Sequence, residues 1–236
     1  MPTSIVRMTD DVKGRTAAAS AARRSRGDAT RVRILQAADV EFANAGYQGT
    51  TMARIAERAG VSVQAVYFNF RTKPLLLREL IVRAVMGYAD PVRPEDADWF
   101  NELLQRTDGV VALRAFSEGG TPIFHRASVA NETARAAAPT DVDVAKVYAD
   151  VERLREEQFQ RIASALEQHG ALRPDLTVRT ATDILLTLAS PQTYLQLTHR
   201  REWTDEHWTD WLADSLARLL LAERNGPDRA RVDGAI

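Results

Sequence analysis

The sequence predicts an all-α fold, with a small amino-terminal three-helix module ahead of a larger helical body, and three observations predict it. Apolar residues recur at spacings of three and four through most of the 236 residues, the period of helices with one buried side. Strand-type alternation is nowhere sustained. Glycines and prolines fall between the periodic stretches, where helices stop and start.

Taken in order, residues 1–28 are poor in large apolar side chains and rich in Ala, Ser and Arg. Too little apolar area is available there to offset ordering, so they read as a flexible basic arm, or else as an unstructured leader without a role. From Thr30, Ile34, Leu35, Ala38, Phe42 and Ala45 form a stripe of about three turns, and Gly46 supplies a left-handed stop. Thr50 or Thr51 caps a second helix with Met52, Ile55, Ala56 and Ala59 inward. Gly60 ends it, and Ser62 caps a short third helix carrying Val63, Val66, Tyr67 and Phe70. A fourth starts near Pro74, where the missing amide costs nothing in a first turn, and runs through Leu75 to Met86.

Pro91 and Pro94 make residues 88–97 a linker. Helices are predicted beyond it at 98–106, 109–119, 122–137 and 142–168, the last stopped by Gly170. One more spans 177–199 with a kink at Pro191, and a final one spans 204–223. The domain reading is therefore an arm at 1–28, a module at 29–74, a body at 75–224 and a polar tail at 225–236.

Charge is unevenly spread. The chain carries 31 Lys and Arg against 32 Asp and Glu, but residues 1–80 hold 13 against 7. A basic head on an acidic body points to an anionic partner at one end only. The absence of cysteine excludes disulfides, thiolate metal sites and cysteine nucleophiles. No apolar run reaches the roughly 18 residues of a bilayer span, and no secretory signal opens the chain, so a cytoplasmic protein without a membrane partner is expected. His125, His169, His199 and His207 form no compact metal motif, and no nucleophile elbow, phosphate loop or dinucleotide fingerprint occurs. Neither an enzyme nor a cofactor is expected.

Two short helices flanking Gly60-Val61-Ser62 have the spacing of a helix-turn-helix, which presents its second helix to a major groove. The alternative is a plain three-helix core segment. The residues then become specific. Ile34-Leu35-Gln36-Ala37-Ala38, Phe42-Ala43-Asn44-Ala45-Gly46-Tyr47, Thr50-Thr51, Ile55-Ala56, Ala59-Gly60-Val61-Ser62, Tyr67, Phe70 and Lys73 resemble the TetR (tetracycline-repressor-like) family of transcriptional regulators across residues 30–80. Gly170 to Asp175 and Trp203 to Trp211 resemble features of some members' carboxyl half.

The resemblance implies a homodimer that binds a double-stranded DNA operator through the module and a small effector through the body. Most members repress and a minority activate. It maps the recognition helix onto Ser62–Phe68, with Ser62, Val63, Gln64 and Phe68 nearest the bases. The Gln64 amide suits adenine and Val63 a thymine methyl; the alternative for Gln64 is a merely hydrated side chain. Thr50, Thr51, Tyr67, Lys73, Arg31 and Arg33 are the candidate phosphate contacts, with capping the alternative for Lys73. Arg23, Arg24 and Arg26 are candidates for an adjacent minor groove. Ala65 departs from the family, where Thr or Ser commonly stands, and so loses a customary hydroxyl contact.

In the body, Tyr88, Trp99, Phe116, Phe124, His125, Tyr148 and Gln158 are candidate pocket residues for a mostly apolar effector, although aromatics at helical spacing equally build cores. Leu185, Leu188, Leu195, Trp208, Leu212, Leu216 and Leu219 are candidates for the dimer seam, with the protomer's own core as the competing use. A helical adaptor that does not read DNA is the rival function.

Overall fold

The computed structural model describes residues 4–87 and 92–222, with side chains from residue 27 onward. Ten α-helices run in order among the described residues: α1 Ser4–Gly49, α2 Met52–Ala59, α3 Val63–Phe70, α4 Lys73–Met86, α5 Asp98–Leu104, α6 Gly109–Ala137, α7 Val142–Gln168, α8 Val178–Leu188, α9 Pro191–Thr198 and α10 Asp205–Leu220. A short 3-10 turn, Pro94–Asp96, precedes α5. The backbone of residues 4–28, expected as an arm without regular structure, continues α1 as helix. Five alanines between Ala17 and Ala22 favour that state. Tyr88, the side chains of Arg23, Arg24 and Arg26, and the tail at 225–236 lie outside the described residues.

The chain divides into two units, Met1–Val82 and Arg83–Ile236. The division falls inside α4, several residues beyond the end of the expected module. In the first unit Ile34, Leu35, Ala38, Phe42, Ile55, Val66, Phe70, Leu76, Leu77, Leu80 and Ile81 are buried. Gly46 takes a left-handed φ of 63° and breaks α1 near its end.

The second unit is built on α6, α7 and α10. Phe116 meets Phe159 edge to face at 5.4 Å, and Phe124, Tyr194 and Trp208 form a mutually packed aromatic triplet. The predicted break at 119–122 does not occur; α6 runs through Pro122. Buried Leu113 and Phe116 before the proline, and Phe124 and Ala127 after it, form one continuous stripe. Tertiary burial there outweighs the lost backbone hydrogen bond. Conversely, the single kinked helix expected at 177–199 is two. Ser190 caps α9 by accepting from the Thr193 amide at 3.1 Å, and Pro191 occupies the first turn. An isolated antiparallel bridge, Leu172 to Leu221, ties the α7–α8 link to the end of α10. No helix among the described residues is long and apolar enough to cross a membrane.

Candidate nucleic-acid interface and effector cleft

α2 and α3 are each eight residues long, too short to persist alone, and their ends are fixed by local chemistry. The Thr51 hydroxyl accepts from the Arg54 amide at 3.2 Å and caps α2. Gly60 closes it in the left-handed conformation, φ 63°, with its amide and that of Val61 satisfying the last carbonyls. Ser62 caps α3 by accepting from the Ala65 amide at 3.2 Å. Val66 and Phe70 anchor α3 inward, at 0% and 3% exposure. The opposite side carries Ser62, Val63, Gln64, Tyr67 and Phe68, all exposed, with Phe68 at 88%. The candidate base readers thus share the outward side of one helix.

Several candidate phosphate contacts take part in the module's own structure. Thr50 is wholly buried, and its hydroxyl lies 2.9 Å from the Glu41 carbonyl and 2.8 Å from that of Gly46. It cannot meet a phosphate, because the α1–α2 link folds over it. Lys73 donates to the carbonyls of Tyr47 at 2.7 Å and Thr50 at 2.9 Å, with its ammonium 4.0 Å above the Tyr47 ring. Arg31 pairs with Glu79 at 3.2 Å, donates to the Asn69 carbonyl at 3.1 Å and covers the Phe70 ring. Lys73 thus ties the start of α4 to the α1–α2 link, and Arg31 ties α1 to α3 and α4. Thr51, Tyr67 and Arg33 remain exposed.

A carboxylate missed from the sequence sits at the same junction. Glu41 is 3% exposed and accepts from Arg58 at 2.6 Å, with Arg54 at 2.9 Å. The Arg58 hydrogen bond, reinforced by both positive charges, lowers the Glu41 pKa below the usual carboxylate range. An acid between Ala38 and Phe42 on an apolar stripe was the available signal.

In the body, the expected aromatic pocket is mostly core. Phe116 and Phe124 are buried, and Trp99 lies over Gly119, where a Cβ would collide with the indole. Tyr148 is half-buried among Glu152, Arg155, Arg135 and Glu132, and burial raises its pKa. Gln158 accepts from Arg161 at 3.0 Å. His125 lines a cleft of about 610 Å³ between α6 and α10, with Arg114, Glu118, Thr121, Arg126, Asp205 and Thr209 among its walls.

The cleft's polar groups are organised. The Tyr194 hydroxyl donates to Asp205 at 2.6 Å, and His125 Nδ1 lies 2.9 Å from the other Asp205 oxygen. Burial, and then that bond to Asp205, push the Tyr194 pKa well up. The Thr121 and Thr209 hydroxyls pair at 2.7 Å, and Arg114 pairs with Asp210. Arg126 donates through Nε to the Ala84 carbonyl at 2.9 Å, at the end of α4. Because Thr121 and Thr209 are 88 residues apart, no local pattern announces their meeting. Among the described residues no group of three or more His, Cys, Asp or Glu could hold a metal ion.

The expected seam also changes. Leu185, Trp208, Leu212 and Leu216 have 0% exposure and belong to the protomer's own core. They lie on the sides of α8 and α10 that face the remaining helices, so they are unavailable to a partner. Leu188 and Leu195 are partly buried against that core, and Leu219 is 43% exposed.

A capped pair of short helices with one uncharged, outward-facing helix, joined to a helical body, is the arrangement of a helix-turn-helix module. Residues 34–80 match the model of a family described as bacterial regulatory proteins, tetR family. It is 34% identical over 80 residues to the HTH-type transcriptional repressor SCO4008 of Streptomyces coelicolor, a match spanning 33% of this chain and 42% of that relative's length. The fold is similar to that of NalD, the secondary repressor of the MexAB-OprM multidrug efflux pump in Pseudomonas aeruginosa, with a TM-score of 0.63 at 20% identity. That alignment covers 84% of this chain and 99% of NalD. It is likewise similar to the transcriptional regulator FadR from Bacillus subtilis, solved with stearoyl-CoA, with a TM-score of 0.63 at 17% identity over 81% of this chain and 97% of FadR.

Proposed function

We propose that the chain is a homodimeric repressor, released from a palindromic operator by a small-molecule effector. The observation that carries the reading is the outward set Ser62, Val63, Gln64, Tyr67 and Phe68 on a helix anchored by Val66 and Phe70. One such helix reads only a few base pairs, so two-fold pairing with heads roughly 34–36 Å apart is the natural arrangement. Two of the similar proteins are described as repressors, which favours repression over activation. Selection of genomic fragments with the purified protein, followed by footprinting and a promoter assay, tests the reading. Two protected half-sites about one helical turn apart and lowered transcription are expected. Protection of a single half-site, or raised transcription, would overturn the dimer or the repressor part.

The α6–α10 cleft supports the effector part. Its charged and hydroxyl-bearing walls favour a polar ligand over the mostly apolar one that the aromatic content suggests. Arg126 is both a wall of the cleft and a donor to the end of α4, the helix that continues into the DNA-binding unit. A ligand that draws this guanidinium away would release those carbonyls and shift α4 between populations. A polar effector found by thermal-shift screening is then expected to lower operator affinity of the wild-type protein but not of Arg126→Gln. An equal response in both would remove Arg126 from the coupling.

A further inference from the structure

We infer that α3 reads an A·T-rich half-site, adenine through the Gln64 amide and thymine C5-methyl groups through Val63 and Phe68. The inference rests on the DNA-binding reading above and specifies its target. α3, Val-Gln-Ala-Val-Tyr-Phe-Asn-Phe, contains no Lys, Arg, Asp or Glu. Guanine is usually read in the major groove by a cation on O6 and N7, and cytosine by a carboxylate accepting from N4. α3 supplies neither group.

The neighbouring cations do not fill that gap. Arg54 and Arg58 are held on Glu41, Arg31 on Glu79 and Asn69, and Lys73 on the Tyr47 and Thr50 carbonyls. Arg71 lies past the carboxyl end of α3, about two turns beyond Gln64.

What α3 does offer is an amide and apolar surface. The Gln64 side chain is exposed and combines a donor with an acceptor, the pairing that adenine N6 and N7 require. The other amide, Asn69, is committed to the Ala65 carbonyl at 2.8 Å. Phe68 at 88% exposure and Val63 at 37% place a phenyl group and part of an isopropyl group on the surface. The thymine methyl is the one apolar substituent that the major groove presents. Gln64 and Phe68 stand four residues apart on the same side of α3, about 6 Å along its axis. That distance corresponds to slightly under two base steps of roughly 3.4 Å, so an adenine and a thymine are expected one or two steps apart.

The test uses the full-length protein in two stages. Selection from a random duplex pool is expected to enrich A·T pairs in the centre of each half-site. Each central thymine is then replaced by uracil, which deletes the methyl and leaves every hydrogen-bonding group in place. Loss of affinity by roughly three- to fivefold is expected at one or more of these positions, as for one buried carbon. Phe68→Ala should bind the thymine and uracil duplexes equally, and at 88% exposure the ring contributes little to folding, which circular dichroism checks. Gln64→Ala should lose discrimination at the selected adenine by about fivefold or more. Enrichment of G·C pairs at the half-site centre, or indifference to uracil at every position, would overturn the inference while leaving DNA binding intact. A protein that binds no duplex at low salt would overturn the DNA-binding reading itself.

Discussion

At the scale of single residues, the chain's least obvious commitments are carried by groups that look expendable in the sequence. Glu41 is one acid on an apolar stripe, yet it anchors both arginines of α2. Its folded-state pKa lies below that of the unfolded chain. Its stabilising effect is therefore complete above the usual carboxylate range and is lost as pH falls through the folded value. Glu41→Gln is expected to lower the unfolding midpoint at neutral pH, with the gap to wild type closing in acid; urea titrations across pH measure this. Gly119 is a second such residue. Helix propensity alone would favour alanine there by about 1 kcal/mol, but the Trp99 indole occupies the space for a Cβ. Overpacking should win, and Gly119→Ala is expected to destabilise the body by about 1–3 kcal/mol in chemical denaturation.

At the scale of elements, caps and stripes were legible and long-range polar contacts were not. Thr51, Gly60, Ser62 and Pro191 each mark a helix end by local chemistry, and α7 spans the predicted 142–168 because Gly170 follows an unbroken period. Pro122 misled for the opposite reason: its local signal is strong, but burial on both sides of it is a tertiary property. The outward side of α3 was readable from spacing and resemblance together. Lys73 was not, because its partners are carbonyls 23 and 26 residues away. That contact separates two roles by experiment. Lys73→Met should lower thermal stability while leaving the salt dependence of DNA binding unchanged. A phosphate-contacting lysine would instead reduce the slope of log K against log salt by about one unit.

At the scale of the molecule, the basic first third and the acidic remainder suit an anionic partner at one end only. Removing residues 1–28, whose bases include Arg23, Arg24 and Arg26, is expected to weaken operator binding and flatten its salt dependence, measured by anisotropy in a salt series. The dimer prediction also takes a sharper form than sequence alone allowed. The leucine and tryptophan stripe along α10 suits a core and a seam equally, since both are apolar. Burial separates them: Leu212 is enclosed within one protomer and Leu219 is not. Leu212→Ala should destabilise each protomer by about 2–5 kcal/mol. Leu219→Glu should instead leave folding intact and shift the sedimenting species from twice 26.2 kDa toward one chain.

All four tryptophans, Trp99, Trp203, Trp208 and Trp211, belong to the unit that begins at Arg83, and three of them pack together along α10. The unit before Arg83 has no tryptophan and only tyrosine as a comparable emitter. Indole fluorescence therefore watches the body alone, without any label, while far-ultraviolet dichroism follows both halves. If the two halves melt independently, the optical signals will part company at different temperatures, and the lag between them will report how strongly one half props up the other.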